Sequence, residues 1–60
     1  METSRNKIVS RLLREGWQFV RHGGGHDVYR HAQKGVVTIP RHRELSPGVA
    51  RSIAKAAGWL

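Results

Sequence analysis

The sequence contains no cysteine, so neither a disulfide staple nor a thiolate metal site is available to it. Carboxylates are nearly as scarce: Glu2, Glu15, Asp27 and Glu44 are the whole set in 60 residues. No two of them form the acid/base pair of a glycosidase or the ligand set of a two-metal nuclease, so metal-dependent cleavage is disfavoured. Serine hydrolysis is disfavoured as well, because Ser4, Ser10, Ser46 and Ser52 all fall within or at the ends of predicted helices. No apolar run approaches the roughly 18 residues that mark a membrane span. Glu2 to Ser10 also lacks the apolar centre of a secretory signal. These absences together predict a cytoplasmic chain with no membrane association and no metal or other cofactor.

What the sequence has in excess is positive charge, with 11 Lys and Arg against four acidic residues and a net charge of +7. Solubility alone would accept either sign, so a surplus this one-sided points to a polyanion, and above all to nucleic acid. Eight of the cations are arginine, whose planar fork grips phosphate in a bidentate manner that lysine cannot match. The length allows one domain over residues 1–60 and one small core. A chain of this size buries only roughly 60% of its unfolded surface, which makes a stabilising protein partner a reasonable expectation.

The apolar periodicity orders the chain as helix, three strands and helix. Ile8, Val9, Leu12 and Leu13 lie at helical spacing within Thr3 to Glu15, with Thr3 or Ser4 as the cap and Gly16 as the left-handed stop. Trp17 to Arg21 reads as a first strand and Gly23-Gly24-Gly25 as the turn after it. His26 to His31 and Val36 to Ile39 read as the next two strands, joined by a hairpin loop ending in Gly35, with Pro40 closing the third. Ser46-Pro47 supplies a cap and a first-turn proline for a second helix. Its apolar stripe is Val49, Ala50, Ile53, Ala54 and Ala57, and Gly58 ends it. Short links make consecutive strands antiparallel, and both helices are needed to cover one face. The expected architecture is therefore a two-layer α+β fold, with a three-stranded antiparallel sheet and two helices on one side. Trp17, Phe19 and the helical stripes are expected to pack together.

Four histidines, His22, His26, His31 and His42, remain as candidates for proton transfer near neutral pH. His26 has the most open setting, because the three glycines before it remove bulk that would keep a large ligand away. Gly24 and Gly25 also expose backbone N–H groups able to cradle a phosphate. A plain flexible hairpin carrying a surface histidine is the alternative for this segment. A zinc site made of the four histidines is disfavoured by their spacing and by the missing thiolates. His22, His31 and His42 are read as auxiliary polar surface.

One ordered series of motifs runs through nearly the whole chain. It comprises Gly16-Trp17, the glycine turn ending in His26, Tyr29-Arg30-His31, Val37-Thr38-Ile39-Pro40, Glu44-Leu45-Ser46-Pro47-Gly48, Ile53 and Ala57-Gly58. From about Lys7 to Leu60 this series resembles the HicA toxin family. The resemblance implies a fold like that of double-stranded-RNA-binding domains. It also implies ribosome-independent mRNA cleavage that needs a histidine, the activity of an mRNA interferase, and neutralisation by a HicB antitoxin. The family's catalytic histidine falls on His26. Many members carry Ser or Thr before it and a second histidine after it, where this chain has Gly25 and Asp27. Asp27 is expected to raise the pKa of a nearby imidazole or to repel phosphate.

The expected activity is endoribonuclease cleavage of mRNA, without metal, by attack of the ribose 2′-hydroxyl with His26 moving a proton. Arg21, Arg30, Arg41 and Arg43 are the expected phosphate contacts, with Gly24 and Gly25 beside them. Two rival readings use the same composition: a non-catalytic RNA- or DNA-binding module, and an interaction protein whose basic face meets an acidic partner.

Overall fold

A computed structural model covers residues 1–60 and has the order α1 (Arg5–Arg14), β1 (Gln18–Gly23), β2 (His26–His31), β3 (Gly35–Pro40) and α2 (Pro47–Ala56). The sheet is an antiparallel meander in the order β1-β2-β3. The two-layer α+β architecture expected from the sequence is the one observed. Helix α1 stops where Gly16 turns left-handed at φ +95, and Gly58 does the same after α2 at φ +82. Glycine alone takes these conformations without a Cβ penalty.

The helix caps differ from each other. Ser46 accepts a hydrogen bond from Val49 N–H at 3.3 Å and Pro47 follows it, as the sequence predicts. Ser4 occupies the N-cap of α1, but its hydroxyl makes no cap bond. The start of α1 is tied down by tertiary contacts instead. Leu45 N–H donates to Thr3 C=O at 2.9 Å, Arg5 N–H donates to Arg43 C=O at 3.0 Å, and the Thr3 hydroxyl donates to Glu44.

Cross-strand partners share a face, and successive strand residues alternate between faces. Tyr29 is in register with Val37, and Asp27 with Ile39. This set faces the helices, where Tyr29, Val37 and Ile39 join Ile8, Leu12, Trp17, Leu45, Ala50, Ile53 and Ala57 in one core. Leu12 and Ile39 are wholly buried, and burial of that extent stabilises the fold by about 1.5–3 kcal/mol for each such side chain. His26, Val28 and Arg30 alternate onto the opposite face, which no helix covers.

Strand β1 departs from expectation in several respects. Trp17 lies before the strand and is buried, while its indole N–H has no protein partner. Phe19 stays 46% exposed against the rings of Tyr29 and His22, rather than entering the core. A register shift between Phe19 and Arg21 inserts Val20 as an extra residue, the local irregularity of a β-bulge. No strict alternation in the sequence signals that insertion. The boundaries also move slightly, since Gly23 belongs to β1 and both Gly35 and Pro40 to β3. Pro40 is tolerated at the end of an edge strand, where no ladder N–H is required.

Candidate functional site

The β1–β2 turn at Gly24 and Gly25 brings two chemically different groups to one end of the sheet. Gly25 has φ +79, a left-handed value that favours glycine, and a Cβ at either Gly24 or Gly25 would meet nothing within 4 Å. The turn is therefore a projecting surface free of side chains. Arg41 N–H donates to Gly25 C=O at 3.2 Å and ties the exit of β3 to this turn.

On the open face stands His26, half-buried and paired in register with Gly23 and Pro40. A Cβ placed on Gly23 would lie 3.0 Å from His26 Nε2, so the imidazole rests across the bare backbone of Gly23. This glycine serves its neighbour in the opposite strand rather than the turn. Arg21 pairs with Val28 and Gln18 with Arg30, which puts both arginines on His26's face, exposed to solvent. Val36, opposite Arg30, is 58% exposed on the same face.

On the helix side of the same sheet end, Asp27 is the one buried charged residue, and it gathers three partners. Arg5 Nη2 donates to Oδ2 at 2.6 Å, Arg41 Nε donates to Oδ1 at 2.9 Å, and His22 Nδ1 lies 2.7 Å from Oδ1. Donation from His22 in the first place, with that from Arg41, lowers the Asp27 pKa from 3.8 to about 2 despite its burial. The carboxylate is ionised at neutral pH and can only accept, so His22 carries its proton on Nδ1. The ring's Nε2 has no partner, and the side chain is 66% exposed. Arg5 Nε also donates to Pro40 C=O at 2.9 Å, so Asp27 and Arg5 lock α1 against the end of β3.

Arg43 lies in the loop after β3, where its carbonyl receives the first N–H of α1. Arg5, Asn6, His22, Asp27, Arg41 and Arg43 line one open concavity of about 460 Å³ with no apolar lining residue. The four arginines expected to contact phosphate thus divide into two pairs: Arg21 and Arg30 stand with His26, and Arg41 and Arg43 with Asp27.

The imidazole near Asp27 is that of His22, on the face away from His26, and the guanidiniums of Arg5 and Arg41 match the charge of Asp27. The sequence reading leaves Arg5 out of the site and gives His22 only an auxiliary polar role. The available signal was a lone carboxylate beside Val28 and Tyr29 in an otherwise basic chain, a position that must find cations once buried. His31 is structural as well. Its Nε2 lies 3.1 Å from Glu15 C=O, its Nδ1 accepts from Gln33 N–H at 3.1 Å, and its ring packs 5.3 Å from Trp17. His42 remains exposed. No three of the His, Asp and Glu side chains converge as a metal-ligand set.

A meander of three strands backed by two helices, with a basic end and a glycine-bounded histidine, defines a small basic α+β protein. Its sequence matches the HicA toxins of bacterial toxin–antitoxin systems over residues 5–59, and the chain belongs to that family. No individual curated protein matches it. No helix is long and apolar enough to cross a membrane.

Proposed function

We propose that this toxin is a metal-independent endoribonuclease that cleaves mRNA in the cytoplasm, and that a HicB-type antitoxin restrains it. Membership in the family supports the toxin role, and one observation carries the chemistry. His26 lies across Gly23 beside a projecting turn free of side chains, on the sheet face that no helix covers and that also bears Arg21 and Arg30. An RNA strand laid on that face brings a phosphodiester to the imidazole, with the arginines on its flanking oxygens and the Gly24 and Gly25 backbone alongside.

In the proposed step His26 accepts the proton of the ribose 2′-hydroxyl. The 2′-oxygen then bonds to phosphorus, and the bond from phosphorus to the 5′-oxygen breaks. A 2′,3′-cyclic phosphate is left on one fragment, and the released 5′-oxygen takes a proton from water. Positioned proton transfer of this kind contributes about 10²–10⁴-fold, suited to a slow toxin. DNA lacks the attacking hydroxyl and should survive intact. An antitoxin seated on the same face would cover the exposed Val36 together with His26.

The test is incubation of purified protein with RNA in the presence of chelator, alongside His26→Ala. Metal-independent fragments from the wild type and none from the variant are expected. Retarded but uncut RNA would identify a binding module instead, and equal cutting by both proteins would remove His26 from the chemistry.

A further inference from the structure

We infer that the concavity on the helix side of the sheet end is a separate phosphate subsite, built on Asp27 and reading the RNA backbone one step away from the bond that is cut. The inference rests on the nuclease reading for its place on the substrate, but its geometry is independent of His26. Asp27 and Tyr29 face the helices while His26 faces away from them, so the groups around Asp27 do not share the His26 surface. Both surfaces meet at the Gly24-Gly25 turn, around which a single strand can pass.

The charge of this concavity favours an anion. Three guanidiniums, from Arg5, Arg41 and Arg43, face one carboxylate, leaving a surplus of two positive charges before His22 is counted. Arg5 is largely consumed by Asp27 and Pro40. Arg41 gives its Nε to Asp27, and neither of its terminal nitrogens has a partner. Arg43 makes no side-chain hydrogen bond and is exposed, so it is free to move onto a ligand. Glu44, the nearest further carboxylate in sequence, is held by the Thr3 hydroxyl.

His22 completes the arrangement. A buried carboxylate holds its ring through Nδ1 and Phe19 packs 4.8 Å from it, while Nε2 has no protein partner and the side chain is largely exposed. The ligand class is a phosphodiester of a single-stranded nucleic acid, gripped by Arg41 and Arg43 through charge-assisted hydrogen bonds and by His22 in its doubly protonated form, in which Nδ1–H donates to Asp27 and Nε2–H to the phosphate. His22 here is a binding residue, and cleavage stays with His26.

The experiment measures binding of a short fluorescent 2′-deoxyoligonucleotide, which the protein is not expected to cut. In parallel, KM and kcat are measured on RNA of the same sequence. His22→Ala and Arg43→Ala should each weaken binding by roughly threefold to tenfold. Each should raise KM by a similar factor with kcat unchanged, whereas His26→Ala should lower kcat. Arg51→Ala removes one positive charge from the exposed surface of α2 and should stay within about twofold of wild type. His22→Gln keeps a donor for Asp27, and so should melt like wild type while binding as weakly as His22→Ala. Wild-type affinity in both His22 variants, or an equal loss in Arg51→Ala, would overturn the subsite. Should the wild type fail to cut RNA while the deoxy strand still loses affinity in the His22 and Arg43 variants, the nuclease reading falls and the subsite stands.

Discussion

Gly23 and Asp27 are the two positions where a single atom group decides the behaviour of a neighbour. At Gly23 the backbone is ordinary strand, so alanine brings no strain of its own, but its methyl would crowd His26 Nε2 at 3.0 Å and push the ring aside. Gly23→Ala should therefore reduce RNA cleavage by roughly tenfold to a hundredfold through a misplaced ring. Its thermal melt should stay close to wild type, and a wild-type cleavage rate would show that the ring's position is unimportant. At Asp27 the effect is on stability and depends on pH. The folded pKa of about 2 lies below the ordinary 3.8, so the ionised carboxylate stabilises the fold at every pH above about 4. That contribution fades as pH falls from about 4 to about 2. Urea melts of wild type and Asp27→Asn should differ clearly at neutral pH and converge at the acid end of that window. A gap of constant size across it would mean that Asp27's charge does not matter to the fold.

The secondary-structure elements could be read from the sequence where local chemistry decides them, and could not where distant contacts do. Ser46-Pro47, Gly16 and Gly58 mark helix ends by conformational preference alone, and all three act as expected. The long Ser46 cap bond predicts a modest loss for Ser46→Ala of about 0.5 kcal/mol. That corresponds to a fall in Tm of roughly 2–4 °C for a domain of this size. Calorimetry would check it, and an unchanged Tm would leave Pro47 as the sole determinant of the helix start. The start of α1 could not be read in this way, because its anchors, Arg43, Leu45 and Glu44, lie some forty residues downstream. For the same reason the candidate site was half visible. His26 and its glycines are contiguous, whereas Arg5, His22 and Arg41 reach Asp27 only after three separate segments converge. Trp59 repeats the pattern at the other end of the chain. Its indole N–H donates to Glu15 at 2.7 Å, and Arg11 stacks 4.1 Å over its ring. The Trp59 bond first, and Arg11 second, hold the Glu15 pKa below its usual value.

For the molecule as a whole, the excess of positive charge sets how any nucleic-acid affinity depends on salt. Four phosphate contacts, two on each side of the glycine turn, would give a slope of about −2.8 in log K against log salt for a single strand. Removing Arg43 should make that slope shallower by about 0.7. Filter binding across a salt series measures both, and a slope near zero would indicate that the basic surface serves an acidic protein instead.

The first and last residues also share a neighbourhood. Met1, Glu2, Trp59 and Leu60 line one groove of about 210 Å³ with Ile8 of α1 and Ala54 of α2, away from the uncovered sheet face. A short peptide joining the two ends would therefore have little distance to span, and the exposed Ala32–Lys34 hairpin is a natural place to open the chain anew. Such a circularly permuted protein should keep the native circular dichroism spectrum and a cooperative melt. Loss of either would mean that the order in which the segments are connected, and not only their packing, maintains the fold.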